Sequence, residues 1–89
     1  MLRNEISGTG RLVSRQDSLQ EWEVRYYFQI DTRIRNRRIT RYYSHGVVRA
    51  QKNTAIPDGE YDLHTDDGVL RVVNLGLGGW AILMSSVKS

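Results

Sequence analysis

From Trp22 to Ile34 the chain alternates with a period of two. Trp22, Val24, Tyr26, Phe28, Ile30, Thr32 and Ile34 fall on one side; Glu21, Glu23, Arg25, Tyr27, Gln29, Asp31, Arg33 and Arg35 fall on the other. Successive residues of a β-strand point to opposite faces, whereas a helix would scatter these apolar positions around its circumference. The run therefore predicts a long strand, Glu21–Ile34, with one dry and one wet face. In a chain of 89 residues such a strand must be part of the only core there is room for, so 1–89 reads as a single β domain with 85–89 a frayed tail.

The rest of the chain fits that frame. Ile6–Ser14 reads as a first strand, in which Gly8 and Gly10 permit a bulge or a close backbone approach. Arg15–Gln20 is a polar connection with Asp17 and Ser18 as turn formers. Arg35-Asn36-Arg37-Arg38 is the expected hairpin tip after the long strand, and Ile39–Ala50 returns from it as one bent strand or two short ones, with Gly46 at the bend. Pro57-Asp58-Gly59 marks a turn, and Asp66-Asp67-Gly68 joins two further strands, Glu60–Thr65 and Val69–Leu75. After Gly76-Leu77-Gly78-Gly79, a last strand runs Trp80–Met84.

No window sustains apolar residues at i, i+3, i+4 and i+7 behind a capping residue, so no substantial helix is expected. The expected fold is all-β: a small antiparallel barrel or strongly coiled sheet of five to six strands, OB-like or SH3-like in general appearance. Closure would also remove exposed sheet edges. The core is expected to draw on Leu12, Trp22, Val24, Tyr26, Phe28, Ile30, Leu63, Leu70, Val72 and Ile82.

The chain contains no cysteine, which excludes disulfides, thiolate chemistry and cysteine-based zinc sites. With no apolar leader-like stretch in residues 1–10 and no run of transmembrane length, the expectation is a cytoplasmic protein without a membrane partner. Eleven arginines stand against two lysines, and the net charge of +3 hides a strong segregation. Residues 1–31 carry −1, residues 32–57 carry +7 with no acid at all, and residues 58–89 carry −3.

That acid-free third holds the main functional candidate. Arg33, Arg35, Arg37, Arg38 and Arg41, with Arg49 and Lys52 further along, are interleaved with Tyr42 and Tyr43, and Tyr27 lies on the wet face of the long strand. A guanidinium is a planar fork of donors that grips phosphate bidentately, and a phenol ring offers a flat face for an unstacked base. The plainer reading is that hairpin tips carry charge for solvation and to block strand addition. Three other patterns are weaker. Gly76-Leu77-Gly78-Gly79-Trp80-Ala81 formally matches a dinucleotide fingerprint, but that chemistry requires a following helix and a distant acid, and a glycine turn explains the match. His45 and His64, with Asp62, Asp66 and Asp67, could share a metal only if the fold brought them together, and the spacing does not require it, so no metal site is assigned. Trp22, Tyr61 and Trp80 could line a small-molecule site at a barrel mouth, although such rings are more often core.

No serine sits in a nucleophile context, and Glu21 with Glu23 beside Arg25 reads as ordinary surface, so neither an enzyme nor a cofactor is expected. The reading is a small non-catalytic binding module. Its expected ligand is single-stranded nucleic acid held with weak sequence preference by the Arg/Tyr-rich hairpin. The alternative is a protein-interaction or homo-oligomerising module that pairs its basic middle third with an acidic partner surface.

Overall fold

In the computed structural model, which describes residues 5–31 and 43–83, the alternating segments become six strands closed into an antiparallel barrel. These are β1 (Glu5–Ser14), β2 (Glu21–Asp31), β3 (Tyr43–Ala50), β4 (Gly59–Thr65), β5 (Gly68–Asn74) and β6 (Trp80–Ile82). The order around the barrel is β1-β2-β3-β6-β5-β4, and β4 returns to β1. It consists of two three-stranded meanders joined edge to edge, so β3 and β4 stand on opposite walls and residues 51–58 cross one end of the barrel between them. Residues 32–34 of the expected long strand, the expected tip at 35–38, the start of the returning strand at 39–42, and Met84 with the 85–89 tail lie outside the described residues.

Strand parity is as the hydropathy pattern requires. Even-numbered positions of β1, β2, β3 and β6 face inward, and Leu12, Val24, Tyr26, Phe28, Val48, Tyr61, Leu63, Val72, Trp80 and Ile82 are buried. Three of these, Val48, Tyr61 and Trp80, go beyond the core expected from the sequence, whereas Trp22, Ile30 and Leu70 are only half-buried against it. The difference has a local cause. Tyr61 packs edge-on against Trp22 with ring centroids 5.9 Å apart and against Trp80 at 5.6 Å, and its hydroxyl donates to the Pro57 carbonyl. Three rings thus fill the end of the barrel that the β3–β4 crossover spans. Beside the cluster, Trp80 borders a depression of about 360 Å³ under the crossover and Trp22 a separate one of about 220 Å³, so the rings do not line one shared mouth.

Two glycines set the geometry of the walls. Gly46 lies opposite Phe28 in the β2–β3 register, and the Phe28 ring occupies the space a β-carbon would need. Gly46 is therefore a seat for an aromatic ring within one continuous strand, so Tyr43–Ala50 is one strand rather than two short ones. Gly10 lets β1 approach β4, because a β-carbon there would collide with the His64 carbonyl oxygen. Where β6 follows β3, Gly46 pairs with Trp80, and the buried Ser44 hydroxyl accepts the Ile82 backbone N–H at 2.7 Å. A side chain there takes over a ladder hydrogen bond, and a buried donor is satisfied.

The turns obey their chemistry. The hydroxyl of Ser14 accepts the backbone N–H groups of Gln16 and Asp17, and an Asp17 carboxylate oxygen accepts that of Leu19, which closes the β1–β2 connection. Asp66-Asp67 is a two-residue hairpin loop closed by the Thr65–Gly68 pair. Gly76–Gly78 forms one 3-10 turn that leads into a strand, so the fingerprint-like sequence has no helix to present to a phosphate.

Candidate functional site

The outward face of the β1-β2-β3 sheet carries three cross-strand rows. Nearest the barrel's filled end, Thr9, Arg25 and Arg49 stand side by side; next come Ser7, Tyr27 and Val47; then Glu5, Gln29 and His45. Ser7, Thr9, Arg25, Tyr27, Val47 and Arg49 line an open concavity of about 430 Å³. Tyr27 and Val47 remain 42% and 45% exposed in its middle, a large share for rings and branched side chains that could have been placed inside.

The first row is electrostatically unusual. Arg25 and Arg49 are direct partners across the β2–β3 ladder, where β-carbons are about 4.5–5.5 Å apart and like charges are destabilising. Neither has a carboxylate within ion-pair distance among the described residues. Elsewhere on the barrel wall the register does the opposite. Arg11 faces Glu23 and is bonded to Glu21 at 3.2 Å, Asp62 faces Arg71, and Arg15 reaches Asp62 at 3.0 Å.

The tyrosine of the second row is already oriented. Its hydroxyl donates to a Glu5 carboxylate oxygen at 3.1 Å, and that hydrogen bond, with lesser help from desolvation and from the Glu5 charge, raises the Tyr27 pKa above the ordinary phenol value. The ring is thus tethered at its tip while its face stays open, and two residues along β2 lies Arg25. Side chains at i and i+2 of a strand share a face about 6.6–7 Å apart. A cation and a ring at that spacing can take a phosphate and a neighbouring flat group of one ligand.

The structure brings together only part of the expected set. Tyr27 and Arg49 meet at the concavity. Tyr43 begins β3 opposite Asp31, and Arg33, Arg35, Arg37, Arg38, Arg41 and Tyr42 lie in the connecting segment 32–42, outside the described residues. Lys52 does not join them. It lines a separate depression of about 220 Å³ with Glu21, Trp22 and Glu23, where its company is acidic. Arg25 is the residue that sequence reasoning missed; in the sequence it sits among glutamates on a wet face, and only the β2–β3 register places it against Arg49.

The other candidates separate. His45 and His64 point outward from β3 and β4, on opposite walls, so they share no metal. Among the described residues no group of three or more His, Asp or Glu side chains is placed to hold a metal ion, and no helix is long and apolar enough to cross a membrane. Comparison with models of known protein families finds no match, nor does comparison with curated proteins or with solved structures.

Proposed function

We propose that this protein is a non-catalytic binding module for single-stranded nucleic acid, with the outward face of β1-β2-β3 as its platform. The observation that carries this reading is the Arg25–Arg49 pair: two guanidinium groups, without a carboxylate partner among the described residues, held opposite each other at the edge of a concavity containing an exposed tyrosine. An anion between them turns a destabilising contact into a bridged one, and a phosphate accepts from two guanidinium forks at once. Tyr27 then offers a stacking face worth about 1–3 kcal/mol per base. The segment between β2 and β3, with five arginines and no acid in residues 32–42, adds backbone contacts that carry no sequence preference.

The test is fluorescence anisotropy with labelled single-stranded DNA, single-stranded RNA and duplex DNA at two salt concentrations. Micromolar or tighter binding to single strands is expected, falling steeply with salt because phosphate contacts release counterions. Arg25→Ala with Arg49→Ala, and separately the triple replacement of Arg35, Arg37 and Arg38 by Ala, should each weaken binding many-fold with folding intact. No binding at low salt, or affinity unchanged in both variants, would remove the proposal.

A further inference from the structure

The geometry points to the free edge of β1, residues Glu5–Thr9, as a docking surface for the same edge of a second copy of this chain. Strand β1 is paired with β2 from Glu5 to Val13, but β4 covers its other edge only from Arg11 to Ser14. Among the described residues, Glu5–Thr9 therefore presents one side of its backbone without a partner strand. The cause is local: β4 turns away at Thr65 into the Asp66-Asp67 loop, so the β4–β5 hairpin ends before the lower half of β1 begins.

Exposed sheet edges are normally protected by lysines, prolines, inward charges or bulges. Beyond Glu5 this edge carries none of these. After Glu5 the residues are Ile6, Ser7, Gly8 and Thr9, small or apolar and uncharged, and Glu5 itself is held by Tyr27. Such an edge accepts a strand.

A second copy fits it for three reasons. Each copy offers the same uncovered length, so a two-fold axis satisfies both edges at once, as symmetric dimers require. Antiparallel pairing about Ser7 sets Glu5 opposite Thr9, Ile6 opposite Gly8 and Ser7 opposite itself, so no like charges meet and the one bulky residue lies against glycine. Finally, Ser7 and Thr9 form one margin of the concavity that holds Arg25 and Tyr27. Pairing at this edge makes a continuous six-stranded surface with two such concavities side by side. Five residues of edge bury far less than the ~1,200 Å² of a stable interface, so the dimer is a weak one that forms in the micromolar range or above.

The experiment is sedimentation velocity of the full chain from 10 μM to 1 mM, with Ser7→Lys, Ser7→Asp and an equimolar mixture of the two. The wild type should shift toward a dimer as concentration rises. Each variant alone places like charges on the axis and should raise the dissociation constant several-fold. The mixture should recover at least wild-type association, because Lys then faces Asp. Ser7 is exposed, so these variants keep the fold, which far-UV circular dichroism checks. A wild type that stays monomeric to 1 mM, or a dimer indifferent to the charge at position 7, overturns the proposal, and neither outcome depends on nucleic-acid binding.

Discussion

Replacing Arg49 by Gln should make the protein more stable and a poorer binder. The two guanidinium groups start from partner positions of a ladder, and their repulsion is worked for a separation of about 7 Å, the spacing of diagonal neighbours on a sheet. Two unit charges at that distance repel by about 0.6 kcal/mol in a water-like dielectric and by roughly twice that where the sheet surface lowers it. Removal of one charge therefore stabilises the fold by about 0.5–1 kcal/mol at low ionic strength, within the range for like charges directly opposed on a sheet. In a domain of this size, that is a rise in melting temperature of about 3–6 °C.

The salt dependence identifies the cause. The Debye length falls from about 30 Å at 0.01 M to 3 Å at 1 M, so the gain should vanish in 1 M NaCl. Urea unfolding of both proteins at the two salt concentrations measures it. In parallel, the slope of log K against log salt for single-stranded DNA should fall by about 0.7 in magnitude, the value for one lost phosphate contact. Loss of stability that is the same at both salt concentrations would show that Arg49 acts through packing, and the electrostatic account of this face would then be wrong.

Four further outcomes follow from the geometry. Ser44→Ala removes the acceptor of a buried Ile82 N–H and should cost about 1–3 kcal/mol by urea unfolding. Tyr61→Phe keeps the three-ring cluster but loses the bond to the Pro57 carbonyl, at a cost of about 0.5–1.5 kcal/mol in the same assay. Gly46→Ala should cost about 1–3 kcal/mol, and pairing it with Phe28→Leu should recover part of that loss in a double-mutant cycle. The Tyr27 and Tyr61 pKa values are both raised, the first by its bond to Glu5 and the second by burial, so each phenol binds its proton more tightly in the native state than unfolded. Their contribution to stability is full below pH 10 and is lost as pH rises through the native values. Phenolate absorbance should show that Glu5→Ala moves one tyrosine back toward ordinary titration.

Parity was legible in the sequence, because alternation assigns each residue of β2 to a face without knowledge of its partners, and the turn chemistry of Asp17, Asp66 and Asp67 located the strand ends. What was not legible depends on pairs of residues far apart. Tyr61 and Trp80 look like isolated aromatics in short strands until closure packs Tyr61 between Trp22 and Trp80. Nothing around Gly46 in the sequence says that the Phe28 ring will lie over it. The charged third of the chain was conspicuous, yet composition could not say that Lys52 would sit among glutamates while Arg25, from an acidic stretch, would face Arg49.

Register is what produces that face, and the magnitudes show why it holds. A slip of β3 by two residues preserves parity and would place Arg49 opposite Glu23, exchanging a repulsive pair for an attractive one. The gain is about 1 kcal/mol at most on an exposed sheet surface. The same slip would set Phe28 opposite Ser44 and Tyr26 opposite Gly46, so a fully buried ring would meet a β-carbon where it now has none. Overpacking of that kind costs about 1–3 kcal/mol, and the hydrogen bond from Ile82 to the Ser44 hydroxyl would be lost with it. Core packing therefore outweighs surface charge, and holds two arginines together whether or not an anion is present. A local conflict sustained by the rest of the fold is the pattern expected of a functional surface rather than a solvated one. Gly46 and Phe28, inside the barrel, thus fix the position of Arg25 and Arg49 outside it.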